Sequence, residues 1–376
     1  MKKKIRIILA KGGWDGHDRG INIIKDSLIN EGCEVFYFGL FHDLNDIVEI
    51  TVQEGADFLG LSAHSGAHRE YIKKIFERLK SHSALDIGLI LGGIIPQKDK
   101  MFLKENYLVK KIFISGTPEA DLNKIKTFFR ENLGRAITAK DFSLKTKNDV
   151  GLALSAISNG SLEIETIGNL SKQPKKNILT IGITGPLGAG KSSLIDKMIA
   201  EFRMLNKKVG VITVDPSDPL ASGALLGRDR TQMWRHLYDP EVHIYSMATR
   251  GFQGGIAEAT PKAMKIMKAA DYDVILVETI GIGQDQVAIK NIVKKVILVL
   301  TPDVGEDQVH KSGIMQIADY YVINKADISN PLTLEKAINN MLDQKQFDVR
   351  PLVFKTMANK IKDNNIKELA EKIIQS

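Results

Sequence analysis

The chain is poor in cysteine: Cys33 is the only one in 376 residues. One thiol builds neither a disulfide framework nor a Cys-based zinc site, and a reducing compartment is expected. Aromatic residues are scarce too, at 6%, so the formal net charge of +7 is carried by basic residues not interleaved with stacking side chains. A nucleic-acid surface is therefore not expected, and acidic small ligands such as nucleotides satisfy the charge balance as well. Long apolar runs are also lacking. The run at 5–10, behind Met1-Lys2-Lys3-Lys4, stops before Lys11, too short for the core of a secretory signal. No later stretch is long and apolar enough to span a bilayer. These absences point to a cytoplasmic protein with no membrane partner.

What is present suits two domains, since 43% of residues are apolar and the length is generous for one. Up to about residue 133, apolar runs at 5–10, 35–38, 58–61, 87–91 and 111–114 alternate with amphipathic segments. Near-continuous apolar strands separated by helices predict a five-stranded parallel sheet of flavodoxin-like type, covered on both faces. Ligands of such sheets lie beyond the carboxyl ends of the strands. The polar and glycine residues fall there. Asp15-Gly16-His17-Asp18-Arg19-Gly20 follows the first strand and Ser62-Ala63-His64-Ser65-Gly66 the third; Gly92-Gly93 follows the fourth and Ser115-Gly116-Thr117 the fifth. Glycine admits close backbone approach and serine offers a small hydrogen-bonding group. Four such loops on one edge indicate a large ligand. Within the first loop, a carboxylate two residues before an imidazole can hold one ring nitrogen and leave the other for a metal. Taken alone, the same six residues also read as a turn capped by Asp18.

Residues 134–176 lose this regularity and read as a connector with short helical pieces near 153–157 and 162–165. The expected division is thus 1–133, a partly helical linker 134–176, and 177–376. The last part opens with a strand at 178–184 and then Gly185-Pro186-Leu187-Gly188-Ala189-Gly190-Lys191-Ser192-Ser193, a full G-x-x-x-x-G-K-S phosphate loop ahead of an amphipathic segment. Its glycines let successive backbone N–H groups turn inward around phosphates at a helix N-terminus. Lys191 is expected on the β and γ phosphates, and the Ser192 hydroxyl on Mg2+. A strand at 208–214 ends in Asp215, a carboxylate suited to hold Mg2+ directly or through water. The run 273–277 leads into Glu278-Thr279-Ile280-Gly281, placed for the γ-phosphate side, and 320–323 into Asn324-Lys325-Ala326-Asp327. Asp327 can accept from the N1–H and 2-amino group of guanine, which adenine does not offer, so GTP and GDP are expected over the adenine nucleotides. Thr356-Met357-Ala358 follows the last strand, at 352–355, as a weaker base-contact signal. His236, His243 and His310 lack metal-ligand spacing and are expected to be structural, and Met233 and Trp234 to belong to the core.

Taken together, the run 9–20 containing Asp15, His17 and Gly20, with Ser62 and Gly92-Gly93-Ile94-Ile95-Pro96, resembles the cobalamin-binding domain of acyl-CoA mutases. The resemblance implies that His17 is the lower axial ligand of cobalt, oriented by Asp15. The displaced nucleotide tail of adenosylcobalamin would pass Ser62, Gly92, Gly93 and Gly116. Where the family has Ser-x-Leu, this chain has Ser62-Ala63-His64, a departure that bears on corrinoid preference. From about 148 onward the chain resembles the G-protein chaperones that load and guard these mutases. The match runs through the phosphate loop, Val214-Asp215-Pro216-Ser217, Gly223-Ala224-Leu225-Leu226-Gly227, residues 278–284 and Asn324 to Asp327. Glu278 replaces the usual G-protein aspartate, as in that family, and is implied to position Mg2+ or the attacking water; Arg228 is one residue extra before Asp229-Arg230.

Both halves occur in this order in fused isobutyryl-CoA mutases, ahead of a substrate barrel that this sequence does not carry. The implied activity is therefore GTP hydrolysis, with acyl-CoA isomerisation only alongside a separate large subunit. A cobalamin adenosyltransferase and a second copy of the chain are the other implied partners. The alternative is a cobalamin-responsive GTP switch, carrier or sensor that serves no mutase. Corrinoid methyltransferase subunits fit less well, because they place a helical bundle before the cobalamin domain, and here a strand comes first.

Overall fold

The computed structural model describes residues 4–11, 19–39, 43–63, 67–114, 118–131, 143–161, 177–217, 223–252, 254–281, 286–303, 315, 317–344, 347 and 349–376. The first apolar run forms β1 (Arg6–Lys11), buried along its whole length. After it come α1 (Arg19–Asn30), β2 (Glu34–Tyr37), α2 (Leu44–Gln53), β3 (Phe58–Ala63), α3 (His68–Ser81), β4 (Gly88–Gly93), α4 (Gln97–Tyr107), β5 (Val109–Ile114), α5 (Pro118–Glu131) and α6 (Lys147–Ser158). The chain continues with β6 (Leu179–Thr184), α7 (Lys191–Met204), β7 (Val209–Asp215), β8 (Ala224–Leu226), a 3-10 helix at Arg230–His236, β9 (Val242–Ala248) and α8 (Thr260–Ala269). Last are β10 (Val274–Glu278), a 3-10 helix at Gln286–Asn291, β11 (Lys295–Leu300), β12 (Tyr320–Ile323), α9 (Leu332–Asp343), β13 (Leu352–Lys355) and α10 (Asn364–Gln375). Contacts divide the chain into two compact units, Met1–Gln173 with Asp215–Arg228, and Pro174–Val214 with Asp229–Ser376.

The first unit is built on a sheet of order β5-β4-β3-β1-β2-β8 in which every pair is parallel. Strand order reverses at β1, flanked by β2 and β3, so the crevice for a ligand opens at their carboxyl ends. Lys11 at the end of β1 pairs with Ser62 on β3, which sets Ser62 beside the strand end that leads into residues 12–18. The five expected strands are present. The sixth, β8, comes from far along the chain and docks on β2 with Ala224 opposite Glu34; the Ala224 N–H also donates to the Cys33 carbonyl at 3.1 Å. One face of the sheet buries Ile5, Ile7, Leu9, Val35 and Ile90 against Leu28 of α1 and Ile125 and Phe129 of α5. Phe58 and Phe129 meet edge to face at 5.4 Å. At the opposite, amino end of the sheet, buried Arg6 pairs with Glu34 at 2.8 Å and Glu54 at 3.0 Å. The expected helix in the connector is α6, which buries Val150, Leu154 and Ile157; Asn148 Nδ2 donates to the Ser83 carbonyl at 3.2 Å. The second expected piece, 162–165, lies outside the described residues.

The second unit has the sheet β13-β12-β11-β6-β10-β7-β9, with parallel registered pairs and β6 at the centre between β11 and β10. The turn after β6 therefore opens at the switch point of this sheet. Leu194, Ile195, Met198, Ile199 and Phe202 of α7 pack with Ile366, Leu369 and Ile373 of α10 in one core cluster. Strand β9 was not among the expected strands. It is buried throughout, and Ser246 on it is satisfied by a hydrogen bond with Thr213 of β7 at 3.1 Å. His243 is buried in β9, and His236 Nε2 lies 2.9 Å from the Asp196 carbonyl, both in structural settings; His310 lies outside the described residues. Met233 is fully buried and Trp234 half-buried. No helix among the described residues is long and apolar enough to cross a membrane.

Candidate functional site

In the second unit the phosphate loop spans the end of β6 and the start of α7, as its motif demands. Gly190 is the residue before α7, with φ +87°, and Gly188 has φ +80° with open space around it. Gly185, at φ +143°, sits against β11 so closely that a Cβ would come 2.0 Å from the Val299 carbonyl oxygen. Ala189 is buried, and Ser193 is half-buried in the first turn of α7. The Lys191 side chain folds back over the loop, its Nζ donating to the carbonyls of Gly185 at 3.0 Å and Pro186 at 3.1 Å. Burial pulls its ammonium below the usual lysine range, and the negative Glu278 and Asp229 oppose that pull.

Ser192 Oγ donates to Glu278 Oε1 at 2.7 Å. Glu278 ends β10, and its neighbour in register is Ile183, two residues before the loop begins. A serine hydroxyl and a carboxylate within one hydrogen bond form the hard oxygen donor set that suits Mg2+. Gly281, on the same turn as Glu278, abuts the phosphate loop: a Cβ there would meet the Leu187 nitrogen at 2.6 Å. Asp215 closes β7 and is fully buried; its Oδ2 accepts from the Gly227 N–H at 2.8 Å.

The Asn324 side chain is used on three sides. Its Nδ2 donates to the Ala189 carbonyl at 2.9 Å, and its Oδ1 accepts from Thr356 Oγ1 at 3.0 Å and from the Ala358 N–H at 3.1 Å. The asparagine thus ties the phosphate loop to the turn after β13. The sequence marked Thr356 to Ala358 as a base contact; their bracing of Asn324 is visible only in the fold. Lys325 follows with φ +58°, and Asp327 stands exposed with Oδ2 accepting from Asn359 Nδ2 at 3.1 Å. That hydrogen bond, with one from backbone, holds the Asp327 carboxyl below its usual range.

In the first unit, Ser62 and Gly92 are partners in register at the ends of β3 and β4, and Ala63 and Gly93 are the next pair. A Cβ on Gly93, at φ +129°, would lie 2.1 Å from the Ala63 carbonyl oxygen, whereas a Cβ on Gly92 would find its nearest atom at 4.0 Å. Gly20 is exposed in the first turn of α1. Asp15, His17, His64 and Gly116 lie outside the described residues. Two residues that the sequence did not single out meet 2.7 Å apart, His68 of α3 and Asp99 of α4, the helices that follow β3 and β4. The open backbone of Gly92 and the serine beside the switch point leave room and a polar group for a bulky ligand at this edge.

Residues 165–376 match the family model described as methylmalonyl Co-A mutase-associated GTPase MeaB, and residues 5–121 match the B12 binding domain. The fused isobutyryl-CoA mutase of Cupriavidus metallidurans is 30% identical over 351 residues, covering 86% of this chain and 31% of that protein. A Pyrococcus abyssi protein described as a GTPase is 48% identical over 203 residues, 52% of this chain and 62% of its own. This chain thus spans less than two thirds of either relative. Among solved structures, a LAO/AO transport system kinase superposes with a TM-score of 0.46 at 23% identity, covering 60% of this chain and 69% of that one.

Proposed function

The chain belongs to the family of methylmalonyl-CoA mutase-associated GTPases, MeaB, with a B12-binding domain ahead of the GTPase; from this premise we propose that it gates cobalamin for an acyl-CoA mutase by hydrolysing GTP. The observation that carries the reading is the joining of the Ser192–Glu278 phosphate site and a cobalamin-type sheet edge in one polypeptide. The cofactor is proposed to be adenosylcobalamin, which supplies a cobalt–carbon bond as a radical source. His17, oriented by Asp15, would hold its cobalt, and Ser62, Gly92, Gly93 and Gly116 would line its tail. The partner is a mutase subunit carrying the acyl-CoA site, and the setting is the cytosol, in keeping with the single buried cysteine. A cobalamin adenosyltransferase and a second copy of the chain remain part of the proposal as further partners.

In the GTPase, the residues on hand account for binding and positioning. Phosphate oxygens are stronger acceptors for Lys191 than the two carbonyls it now contacts, because charged acceptors roughly double the strength of such a bond. Loop N–H groups and the N-terminus of α7 hold the same phosphates. Ser192, Asp215 and Glu278 are the proposed Mg2+ oxygens, and Glu278 also orients the attacking water. Asn324 keeps the guanine turn and the phosphate loop at a fixed spacing, while Asp327 reads the base. A cobalamin carrier that serves no mutase is the other reading. Co-purification of a mutase large subunit with the full chain supports the first; its absence with cobalamin and GTP binding both retained supports the second. His17→Ala is expected to abolish the histidine-bound absorbance spectrum of cobalamin, and an unchanged spectrum refutes axial ligation.

A further inference from the structure

His68 opens α3, five residues past the end of β3, and Asp99 lies in the first turn of α4, six residues past the end of β4. Ala63 and Gly93, which end those two strands, are partners in register. The two residues are each 5% exposed, and His68 Nε2 is 2.7 Å from Asp99 Oδ2. The other carboxylate oxygen is taken by Arg69, whose guanidinium lies over the Phe102 ring at 4.5 Å. The His68 hydrogen bond is the main influence holding the Asp99 carboxyl below its usual range, with burial opposing it and Arg69 adding to it. An ionised Asp99 accepts only, so Nε2 is the nitrogen that carries hydrogen. Nδ1 is left, and among the described residues this buried atom has no hydrogen-bond partner.

A bridge between two helices needs only Nε2. A second buried nitrogen without a partner is costly, and such groups in folded proteins ordinarily mark a missing ligand or a functional role. Resting on the reading that this edge binds cobalamin, we propose that His68 is a further binding residue, which Asp99 orients so that Nδ1 holds the phosphoribosyl part of the cofactor's nucleotide tail. Ribose hydroxyls donate to a neutral Nδ1, and phosphate oxygens accept from a protonated one, so this part of the tail satisfies the ring in either state. The helices that carry His68 and Asp99 follow β3 and β4, the strands whose serine and glycines are proposed to line the tail.

The test uses the full chain with hydroxocobalamin and with cobinamide, which lacks the nucleotide tail, each titrated by absorbance. His68→Gln keeps a donor where Nε2 stands and so keeps the bridge to Asp99; His68→Asn keeps a polar atom near Nδ1 and gives up the bridge. The expected result is that Gln weakens hydroxocobalamin by about tenfold while Asn stays within about threefold of wild type, with cobinamide affinity the same in all three. Hydroxocobalamin binding by His68→Gln at wild-type strength overturns the proposal and leaves a structural bridge; so does an equal loss toward cobinamide. Wild-type protein that binds neither corrinoid overturns the cobalamin reading itself. Should the Gln variant fail to fold, 15N-histidine spectra of the wild type serve instead, the His68 signal being assigned with His68→Asn. A shift of Nδ1 on adding hydroxocobalamin but not cobinamide upholds the contact, and no shift with either overturns it.

Discussion

At the carboxyl edge of the second sheet, side chains are bonded from turn to turn, Ser192 to Glu278 and Asn324 to the Ala189 carbonyl and the turn after β13. In the first sheet, the helices that follow β3 and β4 are bonded to each other by His68 and Asp99, with Arg69 on the other carboxylate oxygen. The two edges suit ligands of different size. A phosphate group is small and is met by the backbone of one strand-turn-helix, so a short local stretch completes its site. A corrinoid is large and draws on the turns after several strands, so its site is assembled from distant pieces of the chain.

The strongest way to break the comparison is Lys191→Ala. Loss of the charge that meets the phosphates is expected to cut GTP hydrolysis by about two to three orders of magnitude. It should also remove any effect of GTP on cobalamin affinity; hydrolysis within tenfold of wild type would contradict the assignment.

Next is a matched pair of glycines, because Gly93 in one sheet and Gly185 in the other both press on the carbonyl of a neighbouring strand, at 2.1 and 2.0 Å from a virtual Cβ. Their φ values, +129° and +143°, are also unfavourable for other residues. Alanine at either is expected to cost about 2–4 kcal/mol in its own domain, from strain and overpacking together. Hydrogen exchange followed domain by domain would show it. Cys33 gives a second readout for the first domain: burial pushes its thiol up to about 12, so it should resist alkylation until that domain opens.

How much of this was legible in the sequence depends on range. Strands and phosphate loop were readable because their signals are local: apolar runs of strand length, and a motif lying between a strand and a helix. Strand β8 was not, since three residues gain their partner only when Ala224 docks beside Glu34 far upstream. Strand β9 was hidden by the polar His243 and Ser246 in a buried strand; the Ser246–Thr213 bond that makes the serine tolerable is a tertiary fact. Among site residues, Asn324 was found by its motif, but its bracing role was not. His68 and Asp99 carried no recognised spacing, and only the fold brings them together.

A smaller effect is expected from Asp327→Asn, which removes a charge-assisted acceptor for the guanine edge. GTP preference over ATP should fall about ten- to hundredfold; unchanged selectivity would remove Asp327 from the base site. The smallest effect concerns acid. In the first domain burial raises the Glu49 carboxyl, but hydrogen bonds from His82 and Arg78 prevail and hold it below its usual range. In the second, burial of Asp196 is likewise outweighed by His236 and Arg235. A lowered folded value means that this stability is present above the unfolded pKa of about 4 and is lost as pH falls through the folded value. Urea midpoints of both domains should therefore drop in parallel on acidification below about pH 4, and Glu49→Gln and Asp196→Asn should each flatten that drop in its own domain.

The central claim is that one chain binds cobalamin and lets guanine nucleotide control that binding. Anaerobic titration of adenosylcobalamin into the purified protein, with GTP and with GDP, tests it most directly. A histidine-bound, base-displaced cobalamin spectrum, with an affinity that differs between the two nucleotides, is the predicted result. Binding that is absent, or identical with GTP, with GDP and with no nucleotide, would contradict it.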